Sequence, residues 1–180
     1  MQAEVFPDFA VKQAFREVNI ERDDDIIIPH IQNNLLTICL TIILKGSTAS
    51  CLLAKRKYIN DKDIQYALSV CLFPVSFKLS TETGYLMNTR QLGNICNEHL
   101  KMLYQLYKKQ NIETDEIKVS QETLLSLQNA VERLLRGFFE YLAKKGKGRT
   151  ITYRLFDECL NNSIGQSAAE DVPFSLVTRP

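Results

Sequence analysis

The chain has 180 residues, 45% hydrophobic and 24% charged, proportions ordinary for a folded globular protein and unlike those of a disordered one. Its 22 Lys and Arg stand against 21 Asp and Glu, a formal net charge of +1, so it lacks the large basic excess with which a protein wraps DNA unaided. Either half alone is short of core, because units of roughly 60–70 residues are marginal without staples or partners.

The periodicity predicts a short helix, a long helix and a short helix, and then the same series again. Asp8 to Val18 places Phe9, Val11, Ala14, Phe15 and Val18 at helical intervals. The polar, acidic stretch from Asn19 to Asp25 reads as a loop. A long helix is expected from Pro29 to Ala54, with Pro29 in a first turn where its missing N–H is not needed. Ile31, Leu35, Ile38, Ile42, Leu52 and Leu53 form its broad apolar face, over roughly 39 Å at 1.5 Å per residue. Asn60 offers an N-cap with Asp63 three residues on, in the manner of a capping box, and Ile64, Ala67, Leu68 and Cys71 make one stripe on the helix that follows.

A connector of residues 72–92 comes next. Phe73, Val75, Phe77 and Leu79 alternate with Pro74, Ser76 and Lys78, the period of an extended strand. It either turns back at Thr81 to Gly84 as a small hairpin through Tyr85, Leu86 and Met87, or runs as an extended linker over apolar surface.

The second series opens with a helix from Asn94 to Lys109 carrying Ile95, Leu100, Leu103 and Leu106. After the acidic loop Asn111 to Ile117, Ser120 suits an N-cap and Glu122 the positive end of the helix dipole. The long helix runs to Lys144 through Leu127, Val131, Leu134, Leu135, Phe138 and Leu142, and the two glycines of Lys144 to Arg149 stop it. A last short helix, Tyr153 to Asn161, presents Leu155, Phe156, Cys159 and Leu160. Residues 163–180 read as a disordered tail or docking peptide, with an apolar spot from Val172 to Leu176.

Five cysteines, with no CxxC or Cys/His spacing, read as buried thiols in a reducing compartment. The first ten residues show no basic run followed by an apolar one, so no secretory signal is expected. The apolar run Leu35 to Leu44 is broken by Thr37 and Thr41 and is too short to span a bilayer. His30 and His99 have no ligand or triad partner at a recognisable spacing, and KGKGRT lacks the upstream glycine of a phosphate-binding loop. No catalytic residues, metal site, cofactor or small-molecule substrate are expected.

The string AKRKYINDKDIQYAL, Ala54 to Leu68, resembles the second loop and third helix of the core histones of the nucleosomal tetramer. It is similar also to the histone-fold subunits of the general transcription factor that contains the TATA-binding protein. FAVKQAFREVNI with the acidic loop and proline-started helix resembles the family's first-helix layout, and the likeness covers Phe9 to Cys71. Gly148 to Thr152, GRTIT, is similar to the arginine–threonine pair that histones present near a DNA minor groove.

The resemblance implies an all-α chain of two tandem histone folds, residues 1–71 and 93–162, paired as an intramolecular handshake pseudo-dimer. It implies that Arg56 in the second loop holds Asp63, seven residues on; in the second unit Leu155 replaces that aspartate. Fused histone doublets occur in large DNA viruses. The implied role is a non-enzymatic component of nucleoprotein assembly, intracellular, in a nucleus or a viral nucleoprotein or virion, not secreted and not in a membrane. The partners implied are other histone-fold or assembly proteins and, weakly, double-stranded DNA. An interaction scaffold without DNA binding, such as a transcription-complex subunit or virion structural protein, is the alternative.

Phosphate contacts are expected from Lys55, Lys57 and Lys62 in one second loop and from Lys144, Lys145, Lys147, Arg149 and Thr150 in the other. In the handshake each second loop lies beside the partner's first loop, and these are acidic: Glu21, Asp23, Asp24 and Asp25, and Glu113, Asp115 and Glu116. The opposed charges are expected largely to cancel the local field.

Overall fold

The first helix, α1 (Asp8–Glu17), turns Ala10, Val11, Ala14 and Phe15 into the core, the spacing that the sequence offers. Asp8 in its first turn and Arg16 in its last complement the helix dipole. Phe9, on the opposite face, is largely exposed. This is a computed structural model, and it describes residues 2–22, 25–148 and 150–170.

The long helix α2 runs without a break over Ile27–Leu53, two residues earlier than expected, with a π-helical turn at Ile31–Leu35. Within that turn Gln32 points inward, and its Nε2 donates to the Phe6 carbonyl at 2.9 Å and to Asp8 at 2.7 Å, tying α2 to the start of α1. At 27 residues α2 is long and apolar enough, by length and composition, to cross a membrane, since it extends well beyond the run Leu35 to Leu44 on both sides. In this fold Ile27, Ile31, Leu35, Leu36, Leu40 and Ile43 are wholly buried. A helix packed from several sides needs apolar residues all round. Leu53, expected on the buried face, lies on the surface at 82% exposure, because the helix ends there.

The strand β1 (Tyr58–Ile59) leads into α3 (Asp61–Val70). Asn60 and Asp63 form the reciprocal capping box: Asn60 Oδ1 accepts the Asp63 N–H and Asp63 accepts the Asn60 N–H. Helix α3 lies close on α2, where a Cβ on Gly46 would meet the Ala67 Cβ at 2.7 Å. A side chain there would push the two helices apart.

The connector forms neither a strand nor a hairpin. A helical turn, α4 (Ser80–Thr83), occupies the place of the expected hairpin turn, and the alternation is inverted in part, since Phe77 is 93% exposed while Ser76 and Ser80 are buried. The reason is polar. The face of the second long helix beneath it carries Gln128, Glu132 and Arg136, all buried, and such groups demand partners. Glu132 accepts hydrogen bonds from the Leu86 and Met87 N–H groups at 2.8 and 3.1 Å and from the Ser80 hydroxyl at 2.7 Å. Arg136 donates to the Gly84 carbonyl and pairs with Glu132 and with Glu17 of α1. These polar anchors decide which side of the connector faces in.

Helix α5 (Thr89–Lys109) begins five residues before the expected Asn94, because Asn88 caps it by accepting the Gln91 N–H. After β2 (Lys118–Val119) comes the second long helix, α6 (Gln121–Gly146), capped by Ser120 and ended by Lys147 in the left-handed conformation. The last helix, α7 (Tyr153–Glu170), continues through the first eight residues of the expected tail. Ser163 is buried and Ile164 packs on the core, so this stretch has a face to cover. The apolar spot at Val172 to Leu176 lies outside the described residues.

The described fold is all-α, with short β contacts only. Helices α2 and α6 pack on each other, and α6 also touches α1, α3, α4, α5 and α7. Aromatic contacts join the two halves: Phe15 of α1 meets Phe139 edge-on at 4.9 Å, and Phe138 stacks on Phe73 while meeting Phe156 edge-on. The loops are exchanged reciprocally. The one following α2 pairs in parallel with the one preceding α6, Tyr58 opposite Lys118 and Ile59 opposite Val119. The one preceding α2 pairs in parallel with the one following α6, Arg22 opposite Ile151.

Candidate nucleic-acid interface

Each loop pair is held by backbone and locked from behind. In the first, the Lys118 N–H donates to the Lys57 carbonyl at 2.9 Å, and Ile59 is buried beneath. Arg56 grips Asp63 in a two-pronged contact, Nη1 to Oδ2 and Nη2 to Oδ1, both 2.7 Å. Asp63 is fully buried and the Arg56 side chain about a third exposed, at 35%. Burial works to raise the Asp63 carboxyl, but the Arg56 bonds, the Asn60 N–H and the Ser50 hydroxyl outweigh it and hold it below the usual carboxylate range. The lock sets the loop onto the start of α3.

In the second pair the Ile151 N–H donates to the Glu21 carbonyl at 2.7 Å. Its lock is apolar. Ile151 is fully buried, and a Cβ on Gly146 would lie 2.8 Å from its Cδ1 and 3.7 Å from Leu155. Leu155, in the position where the resemblance implies an aspartate, thus packs behind the loop where Asp63 ion-pairs in the first. The Thr152 hydroxyl accepts the Leu155 N–H and starts α7.

Lys55, Lys57 and Lys62 are all exposed around the first pair, Lys55 in the left-handed conformation at φ 56°. With them stands Lys118, brought opposite Tyr58 by the register. The carboxylates Asp61, Glu113, Asp115 and Glu116 share this end, so cations and anions balance there. At the second pair Lys144, Lys145, Lys147 and Thr150 are exposed, whereas Arg149 lies outside the described residues, as do Asp23 and Asp24. Arg22 is tied to Asp25 at 3.0 Å. Beside them a concavity of about 320 Å³ is lined by Lys12 and Arg16 of α1 together with Arg22, Glu21 and Asp25.

Among the described residues, those expected to meet phosphate therefore fall into two separate groups, one at each loop pair. Sequence reasoning missed Lys118, Lys12 and Arg16. Lys118 was legible only through strand register, which two-residue strands do not announce. Lys12 and Arg16 were passed over because they sit within a helix, and only the packing of α1 beside the loop brings them near.

His30, half-buried, lies 4.7 Å from the Tyr153 ring and shares a hydrogen bond with Asn34. His99 is lowered by burial, with Glu98 opposing. Among the described residues no three His, Cys, Asp or Glu side chains converge as a metal set. Burial pushes the Cys96 thiol up to about 12 and raises Cys39 well above its ordinary value, so neither offers a thiolate near neutrality. No protein-family model matches the chain, and no curated protein matches it.

Proposed function

We propose that the chain is a tandem pair of histone folds closed on itself and acts without catalysis in nucleoprotein assembly, with limited phosphate contact and association with other histone-fold or assembly proteins. The observation that carries this reading is the reciprocal loop exchange, Tyr58–Ile59 with Lys118–Val119 and Arg22 with Ile151. It is the arrangement that a handshake between two short–long–short units requires, and Arg56 with Asp63 occupies the position that the resemblance assigns. Fusing the units turns their pairing into an intramolecular event at high effective concentration. An intracellular place, in a nucleus or a viral nucleoprotein or virion, goes with this reading.

The salt dependence of duplex binding tests it. A few phosphate contacts give a shallow slope, and binding weakens about tenfold or somewhat more between 50 and 200 mM salt, well short of what a protein with six to ten contacts loses. Replacing Lys144, Lys145 and Lys147 together by Gln reduces that slope. The carboxylates Glu113, Asp115 and Glu116, in the segment that leads into the strand paired with Tyr58–Ile59, favour a second reading, a histone-fold scaffold that grips proteins alone. Absence of duplex binding at 50 mM salt selects the second.

A further inference from the structure

We propose that Tyr58 is a stacking platform for an unpaired nucleobase, an inference that rests on the nucleic-acid part of the reading above and names the class of ligand this end takes. Tyr58 is 55% exposed, at the tip of the first loop pair, and its side chain makes no hydrogen bond among the described residues. Its backbone is fixed. The Tyr58 carbonyl accepts from Arg56 Nη1 at 3.2 Å and from Cys51 Sγ at 3.3 Å, and the register sets Lys118 opposite. An aromatic ring presented outward from a pinned backbone loses little freedom on meeting a ligand. Lys57 adjoins it in sequence and Lys118 lies opposite it across the strands, both exposed, so the backbone next to Tyr58 carries two cationic side chains.

The charge balance of this end decides between smooth duplex and unstacked base. With Asp61, Glu113, Asp115 and Glu116 nearby, attraction to phosphate alone is weak. The remaining source of affinity is the π face, which a base inside a regular duplex cannot reach and a single strand or opened step presents freely. Stacking is not screened by salt as phosphate contact is.

The test titrates the full chain with a labelled twelve-nucleotide thymidine oligomer, with a duplex of equal length and with an abasic oligomer. Tyr58→Ala weakens thymidine-oligomer binding about tenfold, by the same factor at 50 and 200 mM salt, and leaves duplex affinity within about twofold. Tyr58→Trp retains the affinity. Because the chain contains no tryptophan, Trp emission then reports this position alone, quenched by the thymidine oligomer and unchanged by the abasic one. Unaltered oligomer affinity in Tyr58→Ala, or emission indifferent to bases in Tyr58→Trp, overturns the proposal while leaving duplex binding standing. Failure of the wild-type chain to bind any of the three overturns both this proposal and the nucleic-acid reading beneath it.

Discussion

Asp63 carries more of the order of the loop between α2 and α3 than any neighbouring side chain, since it receives the Arg56 guanidinium, the Asn60 N–H and the Ser50 hydroxyl while fully buried. Asp63→Ala removes the acceptor of the Asn60 N–H, half of the capping box, and leaves Arg56 without its carboxylate, a loss of about 2–3 kcal/mol in denaturant unfolding. The pH dependence follows from the lowered carboxyl. The folded state ionises Asp63 more readily than the unfolded one, so its contribution is complete above about pH 4 and drains away as pH falls through the folded value. Asp63→Asn is therefore less stable than wild type at pH 7, and the difference narrows in acid; a constant difference from pH 7 to pH 2 contradicts this assignment. The pair was legible in the sequence because the resemblance fixes its spacing of seven. Ser50 was not, since nothing in a helical serine thirteen residues upstream announces that it faces the same carboxylate.

At the scale of elements, the connector is where sequence and structure part. An alternating run reads as a strand, and the polar residues that hold this one lie 45 to 57 positions away on α6. Ser76 shows the cost of reading locally: its N–H donates to the Arg133 carbonyl and its own carbonyl accepts from Arg133 Nε, so it is buried while Phe77 projects. Glu132→Ala strands the Leu86 and Met87 N–H groups in the interior, removes one of the two carboxylates on Arg136 and costs about 3–5 kcal/mol, whereas Glu132→Gln, which keeps an acceptor, costs less. Gly137→Ala attacks the same contact from packing, since its Cβ would lie 2.4 Å from the Pro74 carbonyl oxygen. Backbone cannot swing aside as a side chain can, and overpacking of this kind costs about 1–3 kcal/mol. Limited proteolysis locates the damage: both alanine variants are cut first within residues 72–88, and cleavage elsewhere first speaks against a clamped connector. The second long helix, by contrast, was legible to within two residues of its end, because α6 buries Leu127, Val131, Leu134, Leu135, Phe138 and Leu142 on one face and a period of that length admits one structure.

For the whole molecule, the question is whether two halves close on one another within a single chain. Composition showed that each half needed a partner, but it could not show which loops meet, because parallel pairs of two residues leave no periodic trace. The loop exchange is the claim on which the functional reading rests, and it puts Tyr58 directly opposite Lys118, with neighbouring strands about 4.8 Å apart. That separation lies within the span a disulfide bridges, about 4.4–6.8 Å between Cα atoms. Four of the native cysteines are buried and compete little for the oxidant. The most direct measurement is to oxidise the Tyr58→Cys, Lys118→Cys double variant at low concentration and read its mass and cross-link by non-reducing electrophoresis and peptide mapping. The account predicts a cross-linked monomer joining positions 58 and 118, and a variant that remains uncrosslinked, or that forms only covalent dimers through these positions, contradicts it.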